Sequence, residues 1–61
     1  MESVTFEFKS ERNWDRVYDA LYDTNHHFTS YGYKAITTFG ECAAEYVRTY
    51  CKQHRIAIEE I

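Results

Sequence analysis

Ten carboxylates, three histidines and two cysteines are the groups of this 61-residue chain from which a chemical site could be built. Four of the carboxylates, Glu11, Asp15, Asp19 and Asp23, recur at every fourth residue. On an α-helix such positions advance about 40° per step and rise about 6 Å, so the four form one acidic band. Like charges at this spacing cost a helix a few tenths of a kcal/mol per pair, and stability alone does not ask for the arrangement. Carboxylate pairs do acid–base chemistry where burial drives their pKa values apart, which an exposed helix flank does not do. The band therefore reads as a surface for a cationic partner.

The thiols and imidazoles make a weaker pattern. Cys51 and His54 stand three residues apart on one helix side, and His26 and His27 lie elsewhere. Together they hold the residue types that zinc accepts, but without paired ligand motifs, so no metal and no cofactor is expected. Cys51 reads as a small apolar core residue. Cys42 and Cys51 are nine residues apart on one helix and point in opposite directions, which excludes the ~4.4–6.8 Å Cα separation of a disulfide. Both are expected to be free thiols, as in a reducing compartment. A Cys–His–acid triad needs a concave site that excludes water, which a chain this short hardly builds. With no Gly-rich phosphate loop either, no catalytic residue is expected, and the chain reads as a non-enzyme.

Stepping from these groups to the elements that carry them, residues 3–9 alternate, with Val4, Phe6 and Phe8 on one face and Thr5, Glu7 and Lys9 on the other. That is a half-buried strand. Ser10 is placed to cap a helix over 11–24, and Glu11 in its first turn suits the helix dipole. Trp14, Val17, Tyr18, Leu21 and Tyr22 share the apolar stripe of that helix, with the acids beside Tyr18 and Tyr22 and with Arg12 and Arg16 on the far edge. Arg12 and Arg16 each reach an Asp three residues on. Residues 24–33 are the least readable. A hairpin turning near Tyr31-Gly32 competes there with an irregular connection into a single strand, Tyr33 to Thr37, and the spacing favours the single strand.

Thr38-Phe39-Gly40-Glu41 matches the capping box and predicts a second helix from about Phe39 to His54. Phe39, Ala43, Ala44, Tyr46, Val47, Tyr50 and Cys51 form its apolar arc. Arg55 to Glu59 reads as a last strand with Ile56 and Ile58 inward. The fold class is thus α+β, in β-α-β-α-β order, with a three-stranded sheet and two amphipathic helices packed on one face. Residues 1–61 form one domain, with exposed strand edges open to pairing.

Composition narrows the function. The net charge is −3, carried by residues 1–33, whose acids are Glu2, Glu7, Glu11, Asp15, Asp19 and Asp23 and whose bases are Lys9, Arg12 and Arg16. No basic footprint for nucleic acid is present, nor one for anionic lipid. No apolar run approaches the ~18 residues of a membrane span, and Met1-Glu2-Ser3-Val4 does not open as a signal peptide does. A cytoplasmic protein is expected. Six Tyr, four Phe and one Trp exceed the needs of one small core, which leaves rings for an interface.

The partner-binding set expected on these grounds is Glu11, Asp15, Asp19, Asp23, Tyr22 and Tyr31. It belongs to a small interaction module of the kind phages and mobile elements use as inhibitors, engaging a nucleic-acid-handling or defence protein by partial mimicry of nucleic acid. The alternative is a homodimeric structural or regulatory protein joined through a strand edge. A lesser one is a ribbon-helix-helix-like DNA binder with residues 4–9 as an intermolecular strand, opposed by the long 24–38 connection and the acidic first helix.

Overall fold

A computed structural model describes residues 2–32 and 34–61. Strand β1 (Ser3–Phe8) leads into helix α1 (Glu11–Asp23) and strand β2 (Phe28–Tyr31). Strand β3 (Ala35–Phe39), helix α2 (Glu41–Gln53) and strand β4 (Ile58–Glu60) follow. The four strands form one antiparallel sheet in the order β2-β3-β1-β4. This is the split β-α-β arrangement, a four-stranded sheet where the sequence suggested three strands and β-α-β-α-β order. The strand missing from that expectation is β2, and the hairpin is the reading that holds. Phe28-Thr29-Ser30-Tyr31 is too short and too polar to show alternation, and Gly32 with φ +63° supplies the left-handed turn residue between β2 and β3. Tyr33, expected to open the middle strand, lies outside the described residues.

The alternation in β1 works as its pattern implies. Phe6 and Phe8 are buried beneath the helices, as is Ile36, which pairs with Phe6 across the ladder. Trp14, Val17 and Leu21 of α1 and Ala44, Val47 and Cys51 of α2 meet them in one core, and the Trp14 indole donates to the Ala35 carbonyl at 3.2 Å. Ser10 caps α1, accepting from the Asn13 amide at 3.3 Å. The other sheet face carries Ser3, Thr5 and Glu7 of β1, Thr37 and Phe39 of β3, and Thr29 and Tyr31 of β2. On it the Thr5 and Thr37 hydroxyls bond at 2.9 Å.

Helix α2 starts later than its capping-box pattern suggested. Thr38 belongs to β3, is fully buried, and its hydroxyl donates to the Val4 carbonyl at 3.2 Å, so it caps nothing. Gly40 is the N-cap, with φ +91° and no side-chain cap bond. Phe39 consequently sits on the open sheet face at 38 % exposure instead of in the helix core. Ile56 is buried just ahead of β4, and Ile58 is half-buried within it. No helix among the described residues is long and apolar enough to cross a membrane.

The two halves repeat each other. Helices α1 and α2 have 13 residues each, and both end in a Schellman turn. In α1 the His26 amide donates to Leu21 O at 3.3 Å and the Asn25 amide to Tyr22 O at 3.3 Å. In α2 the Ile56 amide donates to Cys51 O at 2.8 Å. Both turns need a left-handed residue, supplied by Asn25 (φ 63°) and Arg55 (φ 56°). Asn tolerates that region, whereas a residue such as Arg pays about 1–2 kcal/mol there. Arg55→Gly should therefore raise the stability of the chain by about 1 kcal/mol in urea titration despite the added flexibility of the unfolded state. Asn25→Gly should change it by a few tenths.

Candidate functional site

Helix α1 presents its carboxylates as the spacing requires. Glu11, Asp15, Asp19 and Asp23 are all exposed, while Trp14, Val17 and Leu21 face the core. Each step along the band turns about 40°, so the band winds diagonally. By helical phase Glu11 and Asp15 fall nearest the side of Tyr18, while Asp19 and Asp23 turn progressively away from it. The β2 side is fixed by Tyr18, whose ring meets Phe28 edge-on at a centroid distance of 5.1 Å, and by Trp14, tilted against Tyr18 at 5.0 Å. Tyr22, one turn beyond Tyr18, is 72 % exposed.

The carboxylates of the band make no ion pair among the described residues. Among the described residues the ion pairs belong to Arg48, which meets Glu45 at 3.5 Å and Glu60 at 2.8 Å. Arg16 does not turn to an aspartate as its spacing suggested. Its Nη2 donates across to His54 Nδ1 at 3.4 Å, bridging to the end of α2. The last turn of α1 contains no basic residue, so nothing there offsets Asp19 and Asp23 at the negative end of the helix dipole.

A groove of about 500 Å³ runs beside this flank, between α1 and the edge strand β2. Its walls are Tyr18 and Tyr22 of α1, Asn25 and His26 of the connection, and Phe28, Thr29 and Ser30 of β2. Spacing gave no sign of it, because β2 itself was not legible. Tyr31 falls on the other side of the molecule. It pairs with Ala35, one register step from buried Ile36, and so projects from the open sheet face at 65 % exposure. The helix band and Tyr31 are thus separated by the thickness of the sheet, with the β2 edge between them.

No protein-family model, curated protein or solved structure matches this chain.

The histidines and cysteines do not converge. The His26 ring lies tilted against Tyr46 at 4.9 Å and His54 against Tyr50 at 4.2 Å, and Tyr46 and Tyr50 stack 6.2 Å apart. This is an aromatic seam between the helices, with Tyr46 and Tyr50 half-buried in it. Among the described residues no group of three or more His, Cys, Asp or Glu side chains is placed to hold a metal ion. Cys51 is buried in the core, where loss of solvation pushes its thiol up to about 11. Cys42 is exposed on the opposite face of α2. Thiolate is the reactive form, so an alkylating reagent at pH 8 should modify Cys42 and leave Cys51 intact. Full labelling at both positions should appear only in denaturant, as read by intact mass.

Proposed function

We propose that this chain is a protein-binding module that works by stoichiometric association through the outer flank of α1. Asp15, Asp19 and Asp23 meet Lys and Arg side chains of the partner, Glu11 extends the band at its start, and Tyr22 adds apolar area at its edge. The observation that carries this reading is the open ring of Tyr22 beside four exposed carboxylates that no Arg or Lys of the described residues pairs in an ion pair. An exposed Tyr gives contact area at low entropic cost. A run of acidic charge steers a cationic partner and speeds the encounter more than it tightens the complex. Such a partner has a surface of the kind that grips nucleic acid, in a nucleic-acid-handling enzyme or a defence complex, and the i,i+4 carboxylates copy a short stretch of phosphate spacing.

The position of β1 speaks against the ribbon-helix-helix alternative. Strand β1 sits inside the sheet, paired with β3 on one side and β4 on the other, so residues 4–9 offer no free edge for an intermolecular ribbon.

The double variant Asp15→Asn, Asp19→Asn removes all three neighbouring like-charge pairs of the band. It should fold as well as the parent or gain up to about 1 kcal/mol. Used as bait in a cell lysate beside the parent, with washes at low and then high salt, it should lose a basic protein that the parent retains at low salt. The same catch from both baits would overturn the reading, and so would parent binding that does not weaken with salt.

A further inference from the structure

The two ends of the sheet are guarded unequally. Strand β4 has three residues, two of them glutamates, and Arg48 clamps Glu60 through two hydrogen bonds of 2.8 and 3.0 Å. That clamp holds the Glu60 carboxyl below the usual carboxylate range, first through the hydrogen bond and against the effect of burial. Short strands and edge charges are the common defences against strand addition. Strand β2, with four residues, has neither Lys, Arg, Asp, Glu nor Pro, and among the described residues no further strand pairs with its outer side.

The register shows which backbone groups are left over. The Phe39 amide donates to His27 O at 3.1 Å, so His27 and Phe39 form a hydrogen-bonded pair. Such pairs alternate along an antiparallel ladder, so Thr29 with Thr37 and Tyr31 with Ala35 are the next two. The amides and carbonyls of Phe28 and Ser30 therefore point away from the sheet. Their side chains face the helix layer, into the groove beneath Tyr18 and Tyr22.

We propose that the β2 edge accepts one extended peptide segment of a partner as a fifth strand, with Lys or Arg at alternate positions facing the α1 flank. The choice of a basic occupant rests on the acidic-flank reading above. Helix α1 runs antiparallel to β2, with Tyr18 beside Phe28. Two residues of strand cover about as much length as four of helix, which sets Ser30 level with Trp14 and Asp15. Alternate side chains of an added strand then fall beside Tyr18 and Tyr22 and, next to Ser30, beside Asp15. There a guanidinium finds a carboxylate and the face of an aromatic ring. The intervening side chains lie on the open sheet face against Thr29 and Tyr31. One strand thereby touches both the helix band and Tyr31.

A second copy of the chain is disfavoured by the same geometry. Antiparallel pairing of two β2 edges brings the Glu11 and Asp15 sides of both α1 helices toward the dyad, where like charges oppose each other.

The probe is a capped heptapeptide with Arg at three alternate positions and Val or Thr between them. One control carries N-methyl groups on the amides that face β2, and a second has the same composition with the three Arg contiguous. Binding to isotope-labelled protein is followed by NMR titration and amide exchange. The expected result is slowed exchange of the Phe28 and Ser30 amides and at least roughly tenfold weaker binding of the N-methylated peptide. Ser30→Pro, which removes an outward-facing donor and leaves the β3 ladder intact, should cause a similar loss. Should that variant fail to fold, the N-methylated peptide decides alone. Equal binding of all three peptides, lost in the double Asp→Asn variant, would overturn strand addition while leaving the acidic-flank reading standing. Equal binding untouched by that variant would overturn both. No binding of any peptide would overturn strand addition, as would protection of the Phe28 and Ser30 amides by concentration-dependent self-association without peptide.

Discussion

Phe6 and Phe8 project from β1, one of the two inner strands of the sheet, and the rest of the molecule is organised around their burial. Ile36 comes into the same layer because its ladder partner is Phe6. Trp14, Val17 and Leu21 close over that layer from α1, and Ala44, Val47 and Cys51 from α2. A chain of 61 residues has a total stability on the order of 3–9 kcal/mol, and truncating one buried Phe costs about 3–5 kcal/mol. The two phenylalanines are therefore close to decisive for folding, and the surface is free to vary around them. This is why α1 can carry an unfavourable run of like charges. The helix is held by its apolar face and by the Ser10 cap, not by its exposed side.

What the sequence reveals depends on how much each segment repeats. Strand β1 alternates over six residues, and α1 and α2 each show a full apolar stripe, so these three elements and the α+β class are legible. The four-residue strand β2 has no period long enough to register, and its omission removed the hairpin and the fourth strand together. Thr38 shows how a local motif can mislead. Thr-x-x-Glu fits a capping box, but the Thr38 hydroxyl is taken by the Val4 carbonyl across the sheet, a partner 34 residues away that no local reading supplies. The loss of that cap also moved Phe39 from a supposed helix core to the open sheet face. On the candidate surface, the exposure of Glu11, Asp15, Asp19, Asp23 and Tyr22 follows from helical spacing alone. The position of Tyr31 and the α1–β2 groove depends on strand pairing and so stayed hidden.

The internal repeat sharpens the meaning of the acidic band. The same β-α-β unit is used twice, with equal helix lengths and the same left-handed exit at Asn25 and Arg55. Corresponding positions of the two halves therefore share a backbone frame but not a surface. In α2 acids and bases are equal in number, Arg48 is paired at both Glu45 and Glu60, and Lys52 suits the last turn. In α1 the acids stand without ion pairs among the described residues, and the last turn has no base. Since the fold imposes the same demands on both helices, the difference between them is not required by folding.

The edges follow the same division. Strand β4 is the counterpart of β2 in the repeat, and it is the one that carries glutamates and is clamped by Arg48. Strand β2 carries only neutral side chains in its ladder, and it borders the acidic helix. An unguarded edge is a liability in isolation, because any extended chain can pair with it. Placed under a run of carboxylates it becomes selective. The charge favours basic segments and disfavours a second copy of this chain, whose own α1 would bring the same negative charge to the contact. The same carboxylates that weaken α1 as a helix would thus keep β2 from self-pairing, which links the acidic run of α1 to the uncharged edge strand beside it.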